Sequence, residues 1–464
     1  MSMNIKKWIG SREFYGSVLA LAVPIMIQNG ITTFVNMLDN IMVGQVGTLP
    51  MSGVSITNQL LMIFNLAVFG ANNAAGIFGA QFYGKGDRDG VNNCFHFKFM
   101  VSVLITVLGI LIFLLFGERL VDLYMNKNAN TAEEIAQTMN YALTYMRIML
   151  VGLPAFTMMN AVSSSVRETG ETKIAMRASI IAVLINFVGN YILIFGHFGF
   201  PKLGIVGAAI ATVISRFSEF LLIMRGTLKQ ADRFYFIKDM KNILRVPASL
   251  TKDIIRKGTP LVVNEVMWST ALAIIAQCYS TRGLNAVAAV NINSTIQNVF
   301  MITNMAMGIS ISIMVGQRLG ANKIEEAVDT DRKLIVFSIL LSLVMGTLLF
   351  VLSPVFPKMY NTSEEVRTLA ENMLRITALY LPFHALYNDG YFTLRSGGKT
   401  VITFLFDGVY TMTVNVGCAF LLSRLTDLPI VMIFLAVQAC DLPKALLGMV
   451  LVHKRVWVQN LVGG

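Results

Sequence analysis

Apolar residues occur along this chain in long runs, and the polar residues gather in short segments between them. A helix that crosses a bilayer needs about 20 consecutive, mostly apolar residues. Twelve runs reach this length: 14-43, 53-78, 96-116, 137-160, 175-196, 204-224, 258-280, 286-314, 334-353, 372-393, 401-422 and 430-452. The pattern predicts an all-α polytopic membrane protein with twelve transmembrane helices.

The composition supports this class. Hydrophobic side chains make up 55% of the 464 residues and charged ones only 14%, which excludes a single soluble domain. The first run follows Lys6, Lys7 and Arg12, but it is far longer than a signal-peptide core and ends at no small-residue cleavage site. We therefore expect it to be an uncleaved first span.

The positive charge is distributed unevenly between the two sides of the predicted membrane. With a cytoplasmic amino terminus, 26 of the 37 Lys and Arg residues fall on the cytoplasmic side, and nine of them lie in the loop 225-257. This asymmetry predicts that both termini are cytoplasmic and that the chain resides in the plasma (inner) membrane. It explains the net charge of +11 without a nucleic-acid partner.

The four Cys residues have no C-x-x-C spacing, so neither a disulfide nor a metal site is expected.

The two halves of the chain form a repeat. Six positions match at an offset of 236, from Pro24 with Pro260 to Gly84 with Gly320, and six more at an offset of 228, from Arg147 with Arg375 to Thr172 with Thr400. Six spans per half is an even number, so the halves share one orientation. We predict an N-lobe at 1-224, a cytoplasmic basic linker at 225-257 and a C-lobe at 258-464, with the lobes related by a pseudo-two-fold axis along the membrane normal.

Two pairs of loop motifs mark this repeat. "GAQFYGKGDRDGV" (79-91) corresponds to "VGQRLGANKIEEAV" (315-328), and "VRETGETKIAM" (166-176) corresponds to "LRSGGKTVITF" (394-404). Taken together, these motifs resemble those of the multidrug and toxic compound extrusion (MATE) family, and the resemblance covers essentially the whole chain. It implies two six-helix lobes, a central cavity open to one side at a time, and export of a solute against inward flow of Na+ or H+. No cofactor is expected besides this coupling ion.

The glycines and prolines of the repeat have physical interpretations of their own. Gly84, Gly86 and Gly320 are predicted to adopt the positive φ angles of tight turns. Pro24 and Pro260 fall well inside helices, where a proline frees a carbonyl and bends the span. Each bend is either a static kink or a hinge, and the resemblance supports a hinge at Pro24 only.

Asp39 is the ionisable group of the first span. A carboxylate at the centre of a bilayer costs about 2.5–3.5 kcal/mol on insertion scales, and the polar neighbours of Asp39 in sequence are all neutral. The resemblance implicates this aspartate in cation coupling together with polar residues of the fifth helix. Asn186 and Asn190, four apart and therefore on one helix face, lie where those partners are expected. The alternative is that Asp39 caps the end of the first helix.

Other charged residues within the spans fall into two groups. Arg216 with Glu219 and Asp441 with Lys444 are each three apart, so each pair shares a helix face and is predicted to form a structural ion pair. A second group of acids is predicted to lie at similar depth and form a C-lobe acidic cluster whose excess charge requires shared protons or a bound cation. Its members are Glu265, Asp389 and Asp407.

The functional hypothesis is a secondary active antiporter that exports small cationic or amphipathic organic compounds, surrounded by membrane lipids and acting as a monomer. A lipid-linked oligosaccharide flippase of the wider superfamily is the alternative within transport. A membrane-embedded enzyme is disfavoured because the four His residues are scattered and neither H-E-x-x-H nor G-x-S-x-G occurs. ATP-driven transport is disfavoured because the chain has no G-x-x-x-x-G-K-[ST].

Overall fold

The computed structural model describes residues 8–125, 131–239, 243 and 245–463. In this part of the chain twelve long helices follow one another, and the prediction of an all-α protein with twelve such helices is confirmed. They are α1 Arg12–Gly44, α2 Thr48–Lys85, α3 Arg88–Asp122, α4 Ala132–Glu168, α5 Lys173–Phe195, α6 Ile205–Leu228, α7 Ala248–Ser280, α8 Leu284–Gly320, α9 Ile324–Leu352, α10 Glu364–Ser396, α11 Thr400–Leu425 and α12 Ile430–His453.

Eleven of these described helices are long and apolar enough to cross a membrane. The remaining one, α10, begins with Glu364, Glu365 and Arg367 and carries His384 and Asp389 in its second half. Polar residues in a membrane helix are rare and face other helices or water-filled space. The polar character of α10 therefore points to a helix whose function or packing requires buried polar groups.

The helices form two compact units. The N-terminal unit comprises residues 27–79 and 88–251, and the C-terminal unit comprises residues up to Met26, Ala80–Asp87 and the chain from Lys252 onward. The C-terminal unit thus includes the first part of α1 and the end of α2, which the predicted lobe boundaries place in the N-lobe. Helix α1 contributes to both units, and the change occurs between Met26 and Ile27.

In the N-terminal unit, α3 packs against α4, and α6 packs against both α4 and α5. Part of the predicted linker 225-257 is folded onto this unit. A 3-10 helix, Tyr235–Ile237, packs against α3, with the ring of Phe236 centred 5.0 Å from that of Phe95. The backbone carbonyl of Asp239 lies 2.7 Å from His96 Nε2.

In the C-terminal unit, α10 packs against α8, α9 and α12. The first part of α1 contributes Val18, Leu21, Ala22 and Ile25 to the hydrophobic core of this unit, where they are almost fully buried. This continuous apolar packing holds the polar side chains of α10 at fixed positions among α8, α9 and α12.

The predicted backbone role of the motif glycines is correct at one position and wrong at two. Gly86 has a φ of +78°, as a tight turn requires. Gly84 and Gly320 lie in the last turns of α2 and α8 and are not in the left-handed region. Both are instead so close to another backbone segment that a Cβ would overlap with it.

Pro24 and Pro260 lie inside the continuous helices α1 and α7. Each removes one backbone donor from its helix. Pro24 is three residues before Ile27, where α1 passes from one compact unit to the other. A role of either proline as a hinge remains a prediction.

Candidate functional site

Asp39 lies beside two amides of α5. Asn190 Nδ2 donates to Asp39 Oδ1 at 2.6 Å. The Asn186 amide also faces the carboxylate, with one amide atom 3.0 Å from Oδ1 and 2.8 Å from Oδ2. Asn186 and Asn190 are almost fully buried, and Asp39 is half-buried. The structure thus brings together the three residues that the sequence assigns to the N-lobe cation site.

The orientation of the Asn186 amide depends on the charge of Asp39. With its nitrogen towards an ionised Asp39, the amide donates to both carboxylate oxygens and turns its oxygen to Thr212 Oγ1 at 3.2 Å. With its oxygen towards Asp39, its nitrogen donates to Thr212 Oγ1 at 3.2 Å, and the carboxyl group must carry a proton to avoid two facing acceptors. The amide can therefore satisfy both protonation states of Asp39.

Thr212 and Tyr145 belong to this site, although sequence reasoning did not identify them. Thr212 is on α6, and its hydroxyl donates to the backbone carbonyl of Ala208 at 2.9 Å when the Asn186 nitrogen donates to Thr212, and to the Asn186 oxygen in the other orientation. The Tyr145 hydroxyl of α4 lies beside Thr212 and Asn58. The small residues of α5 and α6 are a sequence signal for Thr212. Gly189 of α5 allows this helix to approach Ala211 of α6 closely, and Ala211 is next to Thr212 in sequence.

The arrangement is suited to one monovalent cation. Asp39 is the acidic member of a site whose other members are amides and hydroxyls, and Asn190 Oδ1 is buried without a hydrogen-bond partner among the described residues. Oxygen ligands of this kind bind Na+, and the same carboxylate can take up a proton. Either event neutralises the single negative charge.

The predicted ion pair between Arg216 and Glu219 is wrong as a direct salt bridge in the described part of the chain, although the two charges are close enough to interact. Glu219 instead accepts a short hydrogen bond from Ser179, and the guanidinium of Arg216 lies 4.3 Å from the ring centroid of Phe156. Spacing of i, i+3 places the two residues on one helix face, but packing of α4 and α5 against α6 supplies each with a different partner. Gln28 of α1 donates to the same Ser179 at 2.8 Å.

The second predicted ion pair, between Asp441 and Lys444, is also wrong. Lys444 Nζ donates to Asp407 Oδ1 at 2.6 Å and to Thr411 Oγ1 at 3.1 Å. The physical reason is the irregularity of both helices. Helix α12 is interrupted by a turn at Cys440, and α11 widens into two π-helical segments, Leu405–Val409 and Thr411–Asn415, that present Asp407 and Thr411 towards Lys444.

Asp441 has partners of its own. Asn415 Nδ2 donates to Asp441 Oδ1 at 2.9 Å, and His384 Nε2 lies 3.9 Å from Asp441 Oδ2. His384 also contacts Gln438 at 3.0 Å and the Tyr387 hydroxyl at 2.8 Å. This buried polar network connects α10, α11 and α12.

The predicted C-lobe acidic cluster is divided: Glu265 and Asp407 lie near each other, whereas Asp389 lies on a different helix face. Asp407 pairs with Lys444 and accepts from Asn264 at 2.9 Å. Glu265 lies next to Arg395 and Tyr391. Asp389 is fully buried on the side of α10 that faces α9. The sequence predicts a similar depth in the membrane for the three acids, but depth does not show which face of its helix each acid occupies.

The described residues contain no group of three or more His, Cys, Asp or Glu side chains that could hold a metal ion. Hydrogen bonds build the site of Asp39 on α1 and α5. Hydrogen bonds and the ion pair of Lys444 with Asp407 build the network of α10 to α12.

The MatE family profile matches residues 24–192 and 260–421, one segment in each half of the repeat. The chain belongs to the multidrug and toxic compound extrusion (MATE) family. It is therefore a member of a multi-pass membrane transporter family and not an enzyme, as the sequence predicts.

Proteins from two bacteria are similar to this chain along most of its length. A probable multidrug resistance protein NorM of Thermotoga maritima is 23% identical over 89% of this chain and 86% of its own length. A probable multidrug resistance protein YoeA of Bacillus subtilis is 26% identical over 91% of this chain and 90% of its own. A MATE transporter solved in an outward-facing conformation has a TM-score of 0.85 at 19% identity, covering 98% of each chain, which shows a shared fold.

Proposed function

We propose that this MATE chain is a secondary active antiporter that exports small cationic or amphipathic organic compounds in exchange for Na+ or H+. The observation that carries the proposal is the buried amide environment of Asp39. Asn190 donates to the carboxylate at 2.6 Å, while Asn190 Oδ1 has no partner among the described residues. A partly buried carboxylate among neutral groups favours uptake of a cation or a proton, which neutralises its charge.

The charge of the site sets the stoichiometry of coupling. Asp39, Asn186, Asn190 and Thr212 together carry one ionisable charge. One Na+ or one proton neutralises that charge, and a second ion would reverse it. The proposal therefore includes one coupling ion per cycle at this site.

We further propose that the state of Asp39 biases the bend at Pro24. Both residues are on α1, and Pro24 lies close to the position at which this helix passes from one compact unit to the other. Beyond the proline, Gln28 bonds to Ser179 of α5, the helix that also provides Asn186 and Asn190. A change in the bonds between Asp39 and α5 can therefore reach the region of Pro24 through a single pair of helices.

The substrate class and the topology belong to the same proposal. The similarity to proteins described as multidrug resistance proteins favours small organic substrates, and the 28 Met and 30 Phe residues provide polarizable, adaptable contacts for them. The charge asymmetry favours cytoplasmic termini and a cytoplasmic 225-257 loop. Labelling of a Cys introduced at Arg233 by an impermeant reagent from outside intact cells would contradict this topology.

The coupling proposal is tested with purified protein in liposomes. Uptake of a fluorescent organic cation is measured with a Na+ gradient alone and with a pH gradient alone, for the wild type, for Asp39→Asn and for Asp427→Asn as a control at an exposed aspartate. We expect one of the two gradients to drive uptake by the wild type and by the control. Neither gradient should drive uptake by Asp39→Asn, because the amide has no charge for a cation or a proton to neutralise. Gradient-driven uptake by Asp39→Asn at the wild-type rate would refute the proposal and favour a helix-capping role.

A further inference from the structure

The internal repeat allows one buried polar site to be compared with its counterpart in the other half. Helices α3 and α9 begin 236 residues apart, at Arg88 and Ile324, and helices α4 and α10 end 228 residues apart, at Glu168 and Ser396. The interface of α3 with α4 therefore corresponds, position by position, to that of α9 with α10. The corresponding pairs are Lys98 and Leu334, Ser102 and Ser338, Phe95 and Asp331, Ala161 and Asp389, and Ser165 and Thr393.

The interface of α3 with α4 contains a buried cation. The side chain of Lys98 is 1% exposed, and its ammonium donates to Ser165 Oγ at 3.1 Å and to Glu168 Oε1 at 2.5 Å. Lys98 and Glu168 balance each other's charge. In this half of the repeat the protein supplies its own cation.

The corresponding interface of α9 with α10 contains two carboxylates instead. Asp331 is 2% exposed and Asp389 is fully buried. Thr393, the counterpart of Ser165, donates to Asp331 Oδ1 at 2.6 Å. In the described part of the chain neither oxygen of Asp389 has a hydrogen-bond partner at bonding geometry, and the same is true of the buried Ser338 Oγ beside it.

The nearby basic residues have other partners. Arg332 adjoins Asp331 in sequence and its charge acts on Asp331 without a direct contact, because its guanidinium lies 3.9 Å from Asp329 and faces the ring of Trp8. Lys333 bonds to Asp329 at 2.5 Å. Arg395 lies over the ring of Phe392 on the side of Glu265 and Tyr391. Lys444 of α12 pairs with Asp407, and Leu334 stands where the other half has Lys98.

We propose that Asp331, Asp389, Ser338 and Thr393 form a second monovalent-cation site, in which a bound Na+ or a proton takes the place that the Lys98 ammonium has in the other half. The site offers the carboxylate oxygens of both acids and the Ser338 hydroxyl to a cation, or the two acids to a shared proton. An uncompensated pair of buried carboxylates is strongly unfavourable, so the cation binds as part of the folded state. This site is separate from Asp39 and independent of the proposed coupling there.

The first test measures cation-dependent stability in the Asp39→Asn background, which removes the other candidate site. The apparent Tm of the detergent-solubilised protein is recorded against NaCl, balanced with choline chloride at constant pH, and then against pH without Na+. A ligand that binds only the folded state raises Tm with the logarithm of its concentration. We expect Tm to rise either with Na+ or with falling pH. A rise with NaCl identifies the bound cation as Na+, and a rise with falling pH identifies it as a proton.

Substitution then locates the response. Adding Asp389→Asn should abolish the dependence, whereas the control Asp253→Asn, at an exposed aspartate, should leave it unchanged. The proposal would be overturned if the Tm of the Asp39→Asn protein changed with neither Na+ nor pH. It would also be overturned if the full change in Tm persisted after Asp389→Asn was added. Because Asp39 is already absent, failure of this test does not bear on the coupling proposal.

A charge transplant provides an independent test. Leu334→Lys places an ammonium at the position of Lys98, within the reach of Asp331 and Thr393 if the repeat is structurally equivalent. We expect this variant to fold, with a Tm that no longer depends on Na+ or pH, and we expect the same substitution to lower Tm strongly when Asp331→Asn and Asp389→Asn are also present. If Leu334→Lys lowered Tm equally with and without the two Asp→Asn substitutions, Asp331 and Asp389 would not act as the ligands of a cation.

Discussion

Gly84 and Gln317 are in direct backbone contact, since a Cβ on Gly84 would lie 1.8 Å from the carbonyl oxygen of Gln317. The contact is reciprocal. A Cβ on Gly320, the repeat counterpart of Gly84, would lie 1.8 Å from the carbonyl oxygen of Gln81. The Q-x-x-G motif of each half thus places its glycine against the glutamine of the other motif, which explains why both glycines occur inside helices rather than in turns.

We expect Gly84→Ala to destabilise the protein. Overpacking of a close-packed contact costs about 1–3 kcal/mol, and here the opposing atoms are backbone and cannot rotate away. The measurement is the apparent Tm of the purified variant. Gly417→Ala is the matched control, because Gly417 is also in a helix and has open space around its Cβ position. Similar Tm values for the two variants would contradict the close contact.

The helices of this protein could be predicted from sequence because the bilayer imposes a simple requirement. Each span must satisfy its own backbone hydrogen bonds and present apolar side chains to lipid, so long apolar runs report helices directly. The grouping of Asp39 with Asn186 and Asn190 could also be predicted, in part through the family resemblance. Spacing of four residues keeps the two amides on one face of a regular helix.

The partners of the other charged residues could not be predicted, because they depend on packing and on irregular helices. The i, i+3 spacing of Asp441 and Lys444 presumes an uninterrupted helix, whereas α12 has a turn at Cys440 and the π-helical turns of α11 offer Asp407 instead. The sequence gives no sign that Asp331 is buried, because "IEEAVDTDRK" (324–333) is typical of a solvated helix start. Only its packing against α10 buries it.

The ion pair of Lys444 with Asp407 gives a prediction for charge removal. We expect Lys444→Met to lower the apparent Tm strongly, since loss of one partner from a buried pair costs about 3–5 kcal/mol. The double variant Lys444→Met with Asp407→Asn should recover much of this loss, because no charge is then left unpaired. A double variant as unstable as Lys444→Met alone would show that the pair is not the source of the effect. Asp441→Asn serves as the comparison, because Asp441 accepts from Asn415 and not from Lys444.

The segment after α12 is anchored in the C-terminal unit and should contribute to its stability. Trp457 is 1% exposed, and its backbone carbonyl lies so close to Gly397 that a Cβ there would be 1.6 Å away. Gln81 donates to the carbonyls of Ser396 at 2.9 Å and Gln459 at 3.3 Å, and it accepts from Leu461 N at 2.7 Å. The motif glutamine of α2 thus holds the segment that contains Trp457.

We expect Trp457→Ala to reduce the free energy of unfolding by about 3–5 kcal/mol, the usual cost of truncating a buried aromatic side chain. The measurement is thermal unfolding of the purified protein. Trp8→Ala is the matched control, since Trp8 is 45% exposed, and its effect should be small. A Tm for Trp457→Ala within error of that for Trp8→Ala would contradict the anchoring role.

The amide of Asn190 leaves Asp39 as the one carboxylate among the described residues of its site, so a carboxylate at position 190 should change the number of coupling ions. Asn190→Asp places a second carboxylate within hydrogen-bonding distance of Asp39, whose Oδ1 now accepts from Asn190 Nδ2 at 2.6 Å. Two carboxylates at that distance cannot both be ionised unless a cation or a proton lies between them. The variant should therefore bind its first ion more tightly and be able to accept a second one.

Reconstituted protein with a fixed substrate gradient allows the ion stoichiometry to be measured, from the gradient of the coupling ion at which net substrate flux reverses. We expect Asn190→Asp to increase the number of ions exchanged per substrate from one towards two, and to extend transport to lower concentrations of the coupling ion. Asn140→Asp, which adds the same charge at an exposed position of α4, should keep the wild-type stoichiometry. If Asn190→Asp left both the ion affinity and the ion gradient at which flux reverses unchanged, the coupling ion would not bind between α1 and α5, and the assignment of Asp39 would be refuted.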